Sequence, residues 1–457
     1  MAIVWQASAS LPEETSRSAS FVRLRPTVDR QRRLMLWVLW LTYGSFYFCR
    51  SNISATLPGI QAELGFSKAD LGWVLASFKA AYAIGQIVNG QLAERISARV
   101  LLAVGMLASA LLSVLFGFGE AVSFWLFAWA ANGYAQALGW TPTMRVASSW
   151  IPAADRGLSF GILGTSYQVA AAVTLVVSGY AAETWGWRWA MWLPAGFLAL
   201  AAVHMLALLR DTPAAGSPEA APEDAPGDAP GDAPGDAPTR DAAVGAVDAA
   251  PRLSVGATIT ATLTNAPLWL LAFALGLLNA TRYGFLDWGL SHVKEMQGTG
   301  VGRAALTYAI LPIGGVAGAL GSGWISDRFA AGRRAPLVCV LLAALAVLTV
   351  GYQAVVSHST LAVSAVLVLV GFCVFGAQVL LVGTFPVDLA RPGTAAASVG
   401  LVNCMGYVGA AGGDVLTGWL VDHYGWRTAI FAWAGYALVG ALLLLPLWRR
   451  GRVTATA

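Results

Sequence analysis

The chain has 457 residues, of which 57% are hydrophobic and only 11% charged, and its mean hydropathy is +0.64. A water-soluble domain carries about a quarter of its residues as charges, so this composition excludes one and makes lipid the solvent. The formal net charge of +4 sits mostly on arginines of short loops, without the basic, aromatic-interleaved surface that binds nucleic acid.

The N-terminal stretch is polar and holds Arg17, Arg23, Arg25, Arg30, Arg32 and Arg33 before the first apolar run. A secretory signal places its apolar core nearer the start and follows it with a small-residue cleavage site, so residues 1–33 read as a cytoplasmic tail. A bilayer core about 30 Å thick takes roughly 20 apolar residues per helix. On that measure spans begin near Leu34, Asp70, Val100, Val122, Gly157 and Trp189, and after a gap near Pro267, Gly302, Pro336, Leu361, Thr394 and Thr428. The expected fold is an all-α membrane protein of twelve transmembrane helices in two six-helix bundles, 34–210 and 256–448, with a C-terminal tail at 449–457.

Between the bundles, residues 211–255 change composition, and Asp-Ala-Pro-Gly repeats from Asp224 to Pro238. The repeat has no side chain large enough to pack, and proline and glycine deny it a helix, so a disordered linker is expected. With the N-terminus inside, the loops on that side hold Arg95, Arg99, Arg156, Arg328, Arg333, Arg334 and Arg391, and the C-terminal tail adds Arg449, Arg450 and Arg452. The opposite loops hold Lys68, Arg188, Lys294, Arg303 and Arg427. This asymmetry places both termini in the cytoplasm.

The halves are copies. Gly90-Gln91-Leu92-Ala93-Glu94-Arg95 after span two recurs as Gly323-Trp324-Ile325-Ser326-Asp327-Arg328 after span eight, and Gly186-Trp187-Arg188 recurs as Gly425-Trp426-Arg427. Parallel six-span repeats put a substrate site near the midplane between the halves. The four cysteines, Cys49, Cys339, Cys373 and Cys404, lie in apolar stretches without metal-ligand spacing and read as small core residues.

A charge inside a span costs at least about 2.5–3.5 kcal/mol on insertion scales, so it marks a pathway or a partner. The candidates are Arg50, Lys79, Arg145, Arg282, Asp287 and Asp414. Arg50 precedes Gly90 by 40 residues and Arg282 precedes Gly323 by 41, so the repeat puts one arginine at equivalent depth in each half. Two guanidiniums facing one cavity match a dianion, because each presents planar paired donors to phosphate or carboxylate oxygens. The competing reading pairs Arg282 with Asp287, but five residues apart on a helix is poor geometry.

Lys79, Tyr82 and Gln86 share a face of span two, and Tyr43 and Tyr47 lead up to Arg50 on span one. Such a ring of phenols and an amide suits a phosphorylated polyol or sugar, although tyrosines at this spacing also serve as plain helix contacts. Lys79 has a second reading, snorkelling to the outer interface. Arg145 reads as part of a cytoplasmic gate and Asp414 as a helix–helix hydrogen bond. No buried acid or histidine relay for protons is apparent, nor a nucleophile–base pair, a metal cluster or a phosphate-cradling glycine loop, so no enzyme, cofactor or metal is expected.

At these residues the chain resembles the organophosphate:phosphate antiporters of the major facilitator superfamily, which include bacterial glycerol-3-phosphate and hexose-6-phosphate carriers. The matching stretches are Tyr47-Phe48-Cys49-Arg50-Ser51-Asn52, Gly65-Phe66-Ser67-Lys68-Ala69-Asp70-Leu71-Gly72, Arg282-Tyr283-Gly284-Phe285-Leu286-Asp287-Trp288, Arg210-Asp211-Thr212-Pro213 and Gly393-Thr394-Ala395-Ala396. The resemblance runs from about Leu34 to about Trp448, interrupted by the linker. It implies the major facilitator fold, with one phosphate-holding arginine per half at Arg50 and Arg282 and site tyrosines at Tyr43, Tyr47 and Tyr82. Departures surround that clamp: Gln86 stands for a pore lysine, Tyr167 for a histidine, Asn279 for a tyrosine and Pro312 for a glutamate. Glycerol-3-phosphate itself is therefore not the expected substrate.

The substrate-binding set is thus Arg50, Arg282, Tyr43, Tyr47, Lys79, Tyr82, Gln86, Tyr167, Asn279 and Asp287. The expected function is secondary transport by alternating access, exchanging a phosphate ester or phosphonate for inorganic phosphate, in a monomer spanning the lipid of the bacterial cytoplasmic membrane. Two alternatives stay open: a proton-coupled carrier of another organic anion, and a non-transporting sugar-phosphate sensor.

Overall fold

The computed structural model describes residues 28–93, 95–152, 156–213, 254–329 and 334–448. The Asp-Ala-Pro-Gly repeat, the first 27 residues and the last nine lie outside them. Eight helices are long and apolar enough to cross a membrane, and the last of these, Ala397–Leu447, is two spans meeting at Gly425. Residues 28–64, 68–93 and 122–150 supply the remaining spans, so twelve are formed among the described residues. Bulky side chains such as Trp73, Phe127, Leu200 and Val347 are exposed on the outside of the bundle, where lipid is the solvent.

The first helix, Val28–Phe46, begins six residues before the expected Leu34. Arg30, Arg32 and Arg33 belong to its opening turns, since long basic side chains lie along a helix end and keep their charge at the interface. Cys49, Cys339 and Cys373 are buried as expected, but Cys404 is exposed. An apolar stretch gives the solvent of a span, and only packing decides which helix face meets lipid.

The repeated Gly-Trp-Arg has a structural cause in both halves. Gly186 at φ +95° and Gly425 at φ +78° turn the chain through the left-handed region, which glycine enters without penalty. The tryptophan that follows reaches back to the end of its half's first span. Trp187 Nε1 donates to Glu63 (2.9 Å) and Trp426 Nε1 to Glu295 (2.6 Å).

Span one is interrupted. Helix Val28–Phe46 gives way to a 3₁₀ turn at Tyr47–Cys49, and helix resumes at Ile53–Leu64. Backbone carbonyls freed inside a membrane must find donors, and span four supplies them. Gln136 Nε2 donates to the Phe46 carbonyl and Asn132 Nδ2 to the Cys49 carbonyl, both at 2.8 Å. Ser109 of span three donates to Asn132 Oδ1 at 2.6 Å and accepts from Gln136 at 2.8 Å. Gly133 lets span four press against the Phe78 backbone of span two, where a Cβ would collide. Span seven has the matching irregularity: helix Ala266–Tyr283 passes into a π turn at Gly284–Trp288 before Gly289–Gln297.

At the end opposite the termini the halves are fastened together. Lys68 Nζ pairs with Glu295 at 3.1 Å, Lys68 N and Ala69 N donate to Asp422 (3.2 and 2.7 Å), and Gly302 N donates to Glu183 at 2.7 Å. Replacing the span-four donor, Asn132→Leu, strands the Cys49 carbonyl and should cost about 1–3 kcal/mol. The measurement is thermal unfolding in detergent, where the midpoint should fall clearly below that of a lipid-facing control, Leu200→Ile.

Candidate functional site

Each arginine sits beside its span's irregularity. Arg50 follows the 3₁₀ turn, its backbone N–H donating to the Tyr47 carbonyl at 3.2 Å. Arg282 ends the helix that passes into the π turn. Such turns recur at functional sites because they aim side chains that a regular helix would send elsewhere.

Arg50 and Arg282 line one narrow cavity of about 40 Å³ between the halves, with Tyr47, Tyr167, Tyr283 and Phe375 on its walls. At roughly 10–15 Å³ per water, this is room for a few waters, the scale of one tetrahedral oxyanion. Arg50 lies over the rings of Tyr82 (4.6 Å), Tyr47 (5.1 Å) and Phe78 (5.3 Å). Its Nη2 donates across the interface to Tyr283 Oη at 3.1 Å. Arg282 is 8% exposed and sits 4.9 Å from both the Tyr283 and Phe375 rings. Its Nε has no hydrogen-bond partner among the described residues. Ring faces stabilise a buried guanidinium by about 0.5–2 kcal/mol each, but they use none of its planar donors. Arg282 thus keeps guanidinium donors that the rings do not engage.

Lys79 does not snorkel to the outer interface; it lines a small cavity with Arg50, Tyr283 and Asp287. It is buried, at 3% exposure, and crosses to the other half, where its Nζ bonds Asp287 Oδ2 at 2.6 Å and also Asp414 Oδ2. The helix–helix hydrogen bond expected of Asp414 is formed across the two halves with the Lys79 ammonium, and so is also an ion pair. Asp287 does not pair with Arg282; the π turn carries it to Lys79 while leaving it on the cavity wall. The Lys79 ammonium also lies 4.4 Å from the Tyr283 ring.

The other expected residues divide by position. Tyr47, Tyr167 and Asp287 line the cavity, as does Pro312. Tyr82 lies beneath Arg50 and against Tyr407, with ring centroids 4.9 Å apart. Tyr43 stands one layer back, edge-on to Tyr47 (6.1 Å) and tilted onto Trp140 (4.8 Å). Asn279 is buried against Gly406 of span eleven, and Gln86 is half-buried two turns beyond Lys79; neither is among the lining residues. Arg145 is far from the clamp and donates to the Ile96 carbonyl at 2.9 Å. Tyr283, Tyr407 and Phe375 escaped sequence reasoning. Tyr283 was visible only as the neighbour of Arg282, and adjacent residues on a helix normally point apart.

The chain matches the Major Facilitator Superfamily model over residues 39–414. A probable hexose phosphate transport protein of Chlamydia trachomatis serovar D is 28% identical over 420 residues, 91% of each chain. Membrane sensor protein UhpC of Salmonella typhimurium is 31% identical over 432 residues, again 91% of each. Among solved structures, a bacterial homolog to the human lysosomal transporter Spinster, inward-facing and occupied, superposes with a TM-score of 0.71 at 15% identity, covering 92% of this chain and 97% of that one. That likeness speaks to the fold alone.

Removing one member of a buried ion pair costs about 3–5 kcal/mol, because the partner charge is left uncompensated. Lys79→Gln should therefore reduce the yield of monodisperse protein in size-exclusion chromatography, and Lys79→Gln/Asp414→Asn should recover most of it. Equal yields for the single and double variants would contradict the pairing.

Proposed function

The chain belongs to the organophosphate:phosphate antiporter family of the major facilitator superfamily, and we propose that it carries a phosphate ester or phosphonate across the membrane in exchange for inorganic phosphate. The observation that carries this reading is the pair Arg50 and Arg282, one from each half, on the walls of one cavity, with Arg282 Nε lacking a hydrogen-bond partner among the described residues. A phosphoryl group bridging them supplies paired acceptors to both forks and draws the halves together around a central site. Without an anion the two guanidiniums repel across a low-dielectric gap, which raises the barrier to closing. Return of the carrier then requires a second anion, and exchange follows.

The cavity's size fits the phosphoryl group common to both substrates, and the organic part demands that the walls at Tyr167, Phe375 and Pro312 part. Arginine-rich loops on the side of the termini support a cytoplasmic placement of both ends, in a bacterial inner membrane. A sensor is the second reading, because the relative from Salmonella typhimurium bears that name.

The test is uptake of labelled phosphate into proteoliposomes with and without internal phosphate. Uptake that depends on internal phosphate is expected, and Arg50→Lys or Arg282→Lys should each lower it by at least about tenfold, since a fork-type charged hydrogen bond contributes about 1.5–3 kcal/mol. Unaltered exchange in either variant contradicts the clamp. Phosphate binding without any exchange supports the sensor instead.

A further inference from the structure

The Lys79–Asp287–Asp414 cluster adds something the sequence did not reveal: two carboxylates within reach of one ammonium, beside an anion cavity. Counted together, the centre holds three cations (Arg50, Arg282, Lys79) and two carboxylates, a net of one positive charge when both acids are ionised. Asp414 is wholly buried, and its Oδ1 has no hydrogen-bond partner among the described residues. Asp287 lines the anion cavity, and a second small cavity lined by Arg50, Lys79, Tyr283 and Asp287 joins the clamp to the cluster.

A phosphate dianion on Arg50 and Arg282 would turn this net +1 into −1, in a space that solvates excess charge poorly. Restoring neutrality takes one proton. The groups facing the carboxylates are Lys79 of span two, Arg50 of span one, Arg282 and Tyr283 of span seven and Tyr308 of span eight, with Tyr82 and Tyr407 behind Arg50. His292, further along span seven, is turned to Tyr352 (3.0 Å) and Trp426. Ammonium and guanidinium groups have no lone pair to take a further proton and a phenol is a far weaker base than a carboxylate, so the two carboxylates are the bases that can accept a proton.

We propose that Asp287 and Asp414, sharing Lys79, form a proton-binding site that fills as a dianion binds the arginine clamp. This inference rests on the anion-site reading above and deepens it: the binding event takes up a dianion together with one proton, while a monoanion needs none. The proton adds to a carboxylate oxygen of the pair, the carboxylate becomes a neutral acid, and Lys79 keeps its charge on the other member. Tyr283 links the two sites, its hydroxyl on Arg50 and its ring under Lys79.

The experiment uses the full chain purified in detergent and monofluorophosphate, a phosphate analogue that stays dianionic near neutral pH. Calorimetry in two buffers of different ionisation enthalpy counts protons bound per anion. Uptake of about one proton is expected for the unmodified protein. In Asp414→Asn the cluster carries one more positive charge, so the dianion is matched and uptake should fall to near zero. In Lys79→Gln/Asp414→Asn the extra charge is gone, and uptake should return to about one on Asp287. If Asp414→Asn does not fold, Asp287→Asn makes the same change of charge and must lose uptake. Binding by the unmodified protein without proton uptake, or uptake unchanged in the folded single variant, overturns the proposal and leaves the clamp standing. No binding by the unmodified protein overturns the clamp, and the proton site with it.

Discussion

Burying charge in a membrane is expensive, and much of this molecule's centre is arranged around that cost. Five ionisable side chains lie between two apolar bundles. Three of them, Lys79, Asp287 and Asp414, satisfy one another across the interface. The other two, Arg50 and Arg282, are held by aromatic faces and by one phenol on the wall of a shared cavity, where Arg282 Nε has no hydrogen-bond partner among the described residues. Neutralised charge and poised charge stand side by side, joined through Tyr283. Such an arrangement leaves excess positive charge at the cavity wall, and an anion bound there would alter the centre's charge count.

Holding the arginines in place calls for backbone that departs from the helix. A regular span one would not need Asn132 and Gln136 as donors to its freed carbonyls, and the Asn132–Ser109–Gln136 network has its clearest purpose in maintaining that break. Span seven reaches a comparable result with a π turn, which also sets Asp287 facing Lys79. The repeat is thus preserved in function but not in local detail: one half breaks its helix, the other widens it.

The fastenings at the end opposite the termini involve different chemistry. Lys68, Asp422, Glu295 and Glu183 meet backbone N–H groups and each other near exposed surface, where ion pairs are weak, typically about 0–1 kcal/mol. A latch of that strength holds one end closed and costs little to break. The buried cluster lies deeper and joins the same two halves near their centre.

Composition and repeat arithmetic alone determined the solvent, the number of spans, the two-half plan and the pairing of Arg50 with Arg282, because hydropathy over about 20 residues and register between copies are properties of the linear chain. Span starts agreed within a few residues, apart from the first helix, whose basic opening turns mask its beginning. The linker expected at 211–255 lies almost wholly outside the described residues. Only the tertiary structure decided the partners of Lys79, since Asp287 and Asp414 are distant in sequence and belong to the other half. It alone turned Tyr283 toward both Arg50 and Lys79, and set Tyr43 and Asn279 behind the cavity wall. Side-chain direction at a broken helix, and which charges meet across a two-fold interface, depend on how bundles pack, and a chain read residue by residue carries no record of that.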